Sequence, residues 1–199
     1  MYDSEAFDEI IKDSIRFFNG TPIQPLPPSE RFEGTGVYAL YYTGKFKLYK
    51  PLYDLNRTAY MMPIYVGKAV PRGWRQARAI NSGGGSSELY NRLVNHAHSI
   101  EDSENLNIED FCCRFVILEN AAASMIGTVE AALIRQYMPL WNSCIDGFGN
   151  HDPGSGRYYQ AKSEWDILHP GRKWADRCLG QSGSLHEVKA KVFNFLSGK

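Results

Sequence analysis

No run of about 18 apolar residues, the length a membrane-spanning helix needs, occurs anywhere in the sequence. The opening decapeptide MYDSEAFDEI is acidic where a secretory signal would be basic and then apolar, so the expected location is the cytoplasm. Cysteine is scarce. The four residues, Cys112, Cys113, Cys144 and Cys178, include one adjacent pair and no C-x-x-C, which suits neither a disulfide framework nor a structural zinc site. Net charge is absent too: 22 basic residues balance 22 acidic ones, which argues against the global basic excess of a simple nucleic-acid binder. Internal repeats are missing as well. What is present, 199 residues with 43% hydrophobic and 13% aromatic content, suffices to bury a core and is most simply one domain over residues 1–199.

The neutral total hides an uneven distribution. Residues 34–96 carry nine basic and two acidic side chains, whereas residues 97–130 carry one and seven. The basic window is also aromatic. GKFKLYKPLYDLNRTAY interleaves Lys45, Lys47, Lys50 and Arg57 with Phe46, Tyr49, Tyr53 and Tyr60, and VGKAVPRGWRQAR adds Lys68, Arg72, Arg75, Arg78 and Trp74. Such a segment suits a polyanion by charge neutralisation plus stacking, or is a solvated basic face.

Periodicity gives a coarse map. Residues 4–18 place Phe7, Ile10, Ile11, Ile15 and Phe18 on one helical stripe that stops at Asn19-Gly20. The four prolines of TPIQPLPPSER then forbid regular structure, so residues 1–31 read as a helical arm. GVYALYY (36–42), PIYVGKA (63–69) and FCCRFVILE (111–119) read as strands of a small three-stranded sheet. Gly83 to Gly85 read as a loop before a helix that opens at Ser86 or Ser87; without a following Lys-Ser/Thr, a phosphate cradle there is the weaker reading. After Asn142 comes the polar loop CIDGFGNHDPGSGRYYQAKS, carrying Asp146, Asn150, His151, Asp152 and Arg157, of a length and polarity often functional. SEWD resembles a capping box, and LHEVKAKVFNFL suits a final packing helix, so residues 143–199 read as loop plus C-terminal helices.

Two helices carry polar residues out of place. In MIGTVEAALIRQYMPLWN, Glu130 falls among Ile126, Leu133, Ile134 and Tyr137, and Pro139 stops the helix near Tyr137. An ionised Glu buried alone costs several kcal/mol, so this one is ion-paired, protonated or metal-bound. On the helix after residue 87, Arg92 and His96 flank the apolar stripe Leu89, Leu93, Ala97 and Ile100 and reach one cleft together. His98 points about 160° from His96, so the two cannot chelate one metal from this helix.

Gly36-Val37-Tyr38 followed by Tyr65-Val66-Gly67 resembles the paired signature of the GIY-YIG nuclease superfamily. The resemblance implies an α+β core, a small three-stranded antiparallel sheet flanked by helices over residues 34–142, with residues 39–64 as an insertion longer than most members carry. It matches Arg92 to the family's helical arginine, Glu130 to its metal-binding glutamate and Asn142 to the asparagine that follows, with His96 as found in a subset. Long additions around this core resemble the type II restriction endonuclease branch, and GFGNHDPGSGR looks like the loop of members that cut a GC-only palindrome. The cysteine spacing excludes the zinc module of structure-specific resolvases, and 199 residues are expected to leave no space for the further domains of excision-repair or homing enzymes.

The implied activity is metal-dependent hydrolysis of DNA phosphodiesters by in-line attack of water. Glu130 would hold Mg²⁺, or Mn²⁺, and Arg92 the scissile phosphate. A phenol of pKa about 10 is ionised in only about one part in a thousand at pH 7, so Tyr38 needs a relay to His96, expected to titrate near neutrality, or help from Lys68. Tyr65 would orient the water or phosphate, and Asn142 would bond near the metal or position the Tyr-His pair. The expected partners are double-stranded DNA and a second copy of the chain, with a cognate DNA methyltransferase in the same cell but not bound; Lys45, Lys47, Arg57, Lys68, Arg72, Arg75 and Arg157 are the candidate DNA contacts. A DNA-binding module without catalysis, another GIY-YIG repair or recombination nuclease, and a protein unrelated to nucleic acid are the alternative classes.

Overall fold

The computed structural model describes residues 5–71 and 86–198; the side chain of Phe7, the segment with Arg72, Trp74, Arg75 and Arg78, and glycines 83 to 85 lie outside that description. The elements run α1 (Glu5–Gly20), β1 (Gln24–Pro25), β2 (Gly36–Tyr42), α2 (Lys50–Ala59), β3 (Tyr65–Ala69), α3 (Glu88–Glu101), β4 (Phe111–Ile117), α4 (Ile126–Tyr137), α5 (Leu140–Ser143), α6 (Glu164–Leu168) and α7 (Leu185–Ser197). The described strands form one antiparallel sheet in the order β1-β4-β2-β3.

The sheet therefore has four strands, not three. The proline-rich linker supplies the fourth, with Gln24 and Pro25 beside Cys113 and Cys112. Pro25 has no N–H to donate, which confines it to an edge, but its carbonyl accepts a bond from the Cys113 thiol at 3.3 Å. All four cysteines are free.

β2 sits between β4 and β3 and is buried along its whole length, which explains its unbroken apolar and aromatic run. Its side chains alternate between two cores. Tyr38, Leu40 and Tyr42 face Leu89, Leu93, Ala97 and Ile100 of α3, with Trp141, Phe148, Trp165 and the apolar stripe of α7 behind them. Val37, Ala39 and Tyr41 face Phe18 of α1 and Ile126, Val129 and Leu133 of α4. Helix α7 opens on a capping box formed by Ser184 and Glu187. Ser87 occupies the N-cap of α3 without a side-chain bond to the helix and instead receives the Nε of Arg31 at 3.4 Å.

Two expectations change, and the insertion proves to hold a helix. The stripe of α1 is only half used: Phe18 is buried, but Ile10 is 49% exposed. The insertion after β2 contains α2, started by Pro51 in its first turn and ended by Tyr60 in the left-handed region. Two of the aromatic residues of that insertion, Tyr49 and Phe46, belong to the packed interior, while Tyr53 and Tyr60 stay partly exposed. Tyr49 is fully buried, hydrogen-bonded to His169 at 2.6 Å and to the Trp141 indole at 3.0 Å, and Phe46 packs on its ring, while Lys45, Lys47, Lys50 and Arg57 point outward. From Lys45 to Lys50 the residues sort by face, the Phe46 and Tyr49 rings inward and the lysine ammonium groups to water.

Candidate active site

Tyr38 points from β2 toward α3, where its hydroxyl meets His96 Nε2 at 2.6 Å. Burial pushes the Tyr38 phenol well above its ordinary value, with the neighbouring Tyr65 adding to the effect. Burial also pushes His96 down to about 3, helped by Arg92, His151 and Arg172. At neutral pH the phenol therefore keeps its proton and the imidazole is neutral; with the ring proton on Nδ1, Tyr38 donates to Nε2. The expectation that His96 titrates near neutrality is corrected: an imidazole only 4% exposed and surrounded by cations resists a second proton.

The ring of Tyr38 crosses the neighbouring strand at Gly67, its register partner in β3. A Cβ on Gly67 would stand 2.4 Å from the Tyr38 hydroxyl oxygen and 2.6 Å from Cζ. The glycine of the second tripeptide is thus the floor on which the tyrosine of the first one lies. Tyr65, at the start of β3, contacts His96 edge to face at 5.1 Å and is raised by burial, then by Glu130, while Arg92 lowers it. Arg92 and Glu130 act on both hydroxyls, so five residues from β2, β3, α3 and α4 converge on one place.

Glu130 is not aimed into the core. It sits at the border of the buried face of α4, with its side chain 17% exposed, and accepts a 2.6 Å bond from Lys68. Lys68 is therefore the counter-ion of Glu130 and not a group that lowers the Tyr38 phenol. Among the described residues no group of three His, Cys, Asp or Glu side chains gathers as a metal cage. A single carboxylate still fits Mg²⁺, which keeps most of its waters and is held through one or two carboxylates plus substrate phosphates.

Asn142 lies on the far side of β3. Its Oδ1 accepts from the Val66 N–H and its Nδ2 donates to the Val66 carbonyl, both at 2.8 Å. With both amide ends used on the strand next to Tyr65, it holds β3 in place instead of bonding near a cation.

The loop after Asn142 completes the site; the sequence marked it and its His151 as of a functional kind, but Phe148 and Arg172 were missed. Phe148 stacks on His96 at 4.6 Å, and His151 Nε2 lies 3.2 Å from Arg92 Nη1. Arg172 organises them. It is 2% exposed, pairs with buried Asp166 at 2.7 Å, and donates to the carbonyls of Gly147 (2.9 Å), Phe148 (3.1 Å) and Asn150 (3.1 Å). Its guanidinium also lies between the Trp165 and Trp174 rings, at 4.4 and 4.8 Å. The planar fork of arginine suits several acceptors at once. The one local cue in the sequence was the capping motif at Ser163, which places Asp166 in the first turn of α6.

Of the candidate DNA contacts, Lys45, Lys47, Arg57, Lys68 and Arg157 are exposed. The first three lie on the insertion and Arg157 lies in a short turn with its Nε on the Pro153 carbonyl at 3.2 Å, so none of these four belongs to the convergent set. Arg72 and Arg75 fall outside the described residues.

No curated protein matches the chain in sequence. The model of the Eco29kI GIY-YIG domain matches residues 30–196, taking in both tripeptides, the convergent residues, the Arg172-anchored loop and nearly all of α7. The chain thus belongs to the Eco29kI GIY-YIG family of type II restriction endonucleases, which are DNA-binding nucleases.

Proposed function

We propose that this protein is a divalent-metal-dependent restriction endonuclease that hydrolyses both strands of double-stranded DNA at a specific, GC-rich palindrome, acting as a homodimer alongside a cognate methyltransferase that it does not bind. The observation that carries the reading is the 2.6 Å contact between Tyr38 and His96, beside Tyr65 and within the field of Arg92 and Glu130.

In this reading Glu130 holds Mg²⁺, with Mn²⁺ as the alternative, and the cation supplies charge stabilisation on the scissile phosphate. Lys68 then has to release the carboxylate it pairs with in the free protein. Arg92 contacts a phosphate oxygen, where its remaining N–H groups oppose the growing negative charge. The Tyr38 oxygen receives the proton of the attacking water as its own proton passes to His96. In the free protein this transfer is uphill, since the phenol is raised and the imidazole lowered. Negative charge on a bound phosphate favours the imidazolium and so reduces that gap. Tyr65 orients the water, and Asn142 positions Tyr65 through the Val66 backbone. Lys45, Lys47, Arg57, Arg72, Arg75 and Arg157 are assigned to the duplex.

The test is digestion of sequenced plasmid DNA by the 199-residue protein with Mg²⁺, with Mn²⁺ and with chelator, followed by mapping of fragment ends. Discrete ends at one palindrome, lost with chelator, are the expected result. Intact plasmid bound tightly under all conditions would replace the nuclease reading with a binding module.

A further inference from the structure

Outside the convergent set, the loop over residues 147–151 touches the site at three points. Phe148 lies under His96, a Cβ at Gly149 would be 3.1 Å from the Tyr65 hydroxyl, and His151 meets Arg92. The first two contacts are packing, whereas the third joins an exposed imidazole to an exposed guanidinium.

An exposed pair of this kind is ordinarily weak because both side chains move. Here the neighbours of His151 are both held, Asn150 by its carbonyl and Asp152 by its side chain. The Asn150 carbonyl accepts from buried Arg172 at 3.1 Å. On the other side, the Asp152 carboxylate accepts from the Gly154 N–H (2.8 Å), the Tyr158 hydroxyl (2.8 Å) and Arg177 (2.7 Å). A residue held at both neighbours presents its side chain at a fixed place, and that place is Arg92.

We infer that His151 is a positioning residue of the nuclease: its neutral imidazole accepts one N–H of Arg92 and so orients the guanidinium toward the phosphate before DNA arrives. This deepens the nuclease reading and rests on it. An arginine side chain is among the costliest to order, so fixing it in advance leaves less to be ordered in the transition state. The Nε2 of His151 is an acceptor only while the ring carries a single proton, on Nδ1. Burial lowers the protonation point of His151, as do Arg92 and Arg172. The groups facing it are Arg92 and His96 from α3, Arg172 from the segment after α6, and its neighbour Asp152, already engaged by Arg177. The hold is thus complete above the ordinary histidine value of about 6.5 and is lost as pH falls through the lowered one.

The experiment is single-turnover cleavage of plasmid or cognate duplex with Mg²⁺ by wild type, His151→Ala and His151→Gln, from pH 5 to 8, with duplex affinity measured in parallel. His151→Ala is expected to lose about tenfold to a hundredfold in rate at pH 7.5, the effect of one hydrogen bond to a charged group, with affinity within about threefold of wild type. His151→Gln, whose Oε1 can accept the same N–H, should recover most of the rate and lose the acidic fall below pH 6.5 that wild type shows. Cleavage by His151→Ala at the wild-type rate, or an unchanged acidic fall in His151→Gln, would overturn the inference while leaving the nuclease reading intact. Absence of cleavage by wild type would instead remove the reading on which it rests.

Discussion

Replacement of Gly67 by alanine tests the geometry of the site without removing any polar group. Gly67 is not in the left-handed region, so the added methyl acts by volume alone. Its carbon would stand 2.4 Å from the Tyr38 hydroxyl oxygen, where an ordinary contact is about 3.5 Å, so the hydroxyl must move by about 1 Å. Tyr38 cannot yield at its backbone, because β2 is paired on both sides. The ring must turn, and the 2.6 Å bond to His96 is lost or badly bent. Overpacking costs about 1–3 kcal/mol, and leaving a buried hydroxyl and imidazole unpaired about 1–3 more. The sum, about 2–6 kcal/mol, corresponds to a Tm lower by about 5–20 °C for a chain of this size. Loss of a positioned proton acceptor costs about 10²–10⁴ in rate. Thermal unfolding and single-turnover cleavage, measured on the same preparation below its lowered Tm, should both show the change. A Gly67→Ala protein that cleaves at the wild-type rate with an unchanged Tm would refute the assignment of Gly67 as the seat of Tyr38.

Glu130→Ala is expected to abolish cleavage yet bind duplex DNA with near-wild-type affinity in a filter or anisotropy assay. Its stability should change by under about 1 kcal/mol, since Lys68 and Glu130 form a partly exposed pair. Retained Mg²⁺-dependent cutting would remove the metal-ligand assignment. Tyr38→Phe should lower the cleavage rate by orders of magnitude while the far-ultraviolet dichroism stays native; a near-normal rate would mean that another group activates the water. Acid should unfold the protein early. His96 and His169 are buried and both lowered to about 3, so the unfolded chain binds up to two more protons between pH 6.5 and 3. Stability then rises with pH through that window and falls on acidification, with a slope approaching about 2.7 kcal/mol per pH unit. A Tm that stays flat from pH 7 to pH 5 would contradict the buried, neutral state of the two rings.

How much of this was legible in the sequence depends on how local each signal is. β2, α3 and α4 announced themselves through pattern, and the two tripeptides with Arg92, His96 and Glu130 indicated one site, because each residue is placed by its own helix or strand. β1 was hidden because its partner in β4 lies 88 residues away and a proline run argues locally against any strand. Nothing local in the sequence marks Arg172. Only the fold reveals that three loop carbonyls and Asp166 surround it. Glu130 was read as core-facing because a helical wheel cannot place the edge of the neighbouring strand. Lys68 waits at that edge. Asn142 was recognised by resemblance, but its clamp on Val66 depends on α5 lying beside β3.

That clamp has a second consequence. β3 lies at one end of the sheet, where unpaired N–H and C=O groups would template the addition of a strand from another molecule. Asn142 already occupies both groups of Val66, imitating the missing neighbour, and the Trp141 N–H takes the Ile64 carbonyl just before the strand. At the opposite end β1 is only two residues long and one of them is Pro25. Each end of the sheet is thus partly occupied, by Asn142 at Val66 and by β1 at Cys112 and Cys113, which leaves a shorter edge for a second molecule to pair with, and at one of them the cover is the same asparagine that fixes the strand carrying Tyr65.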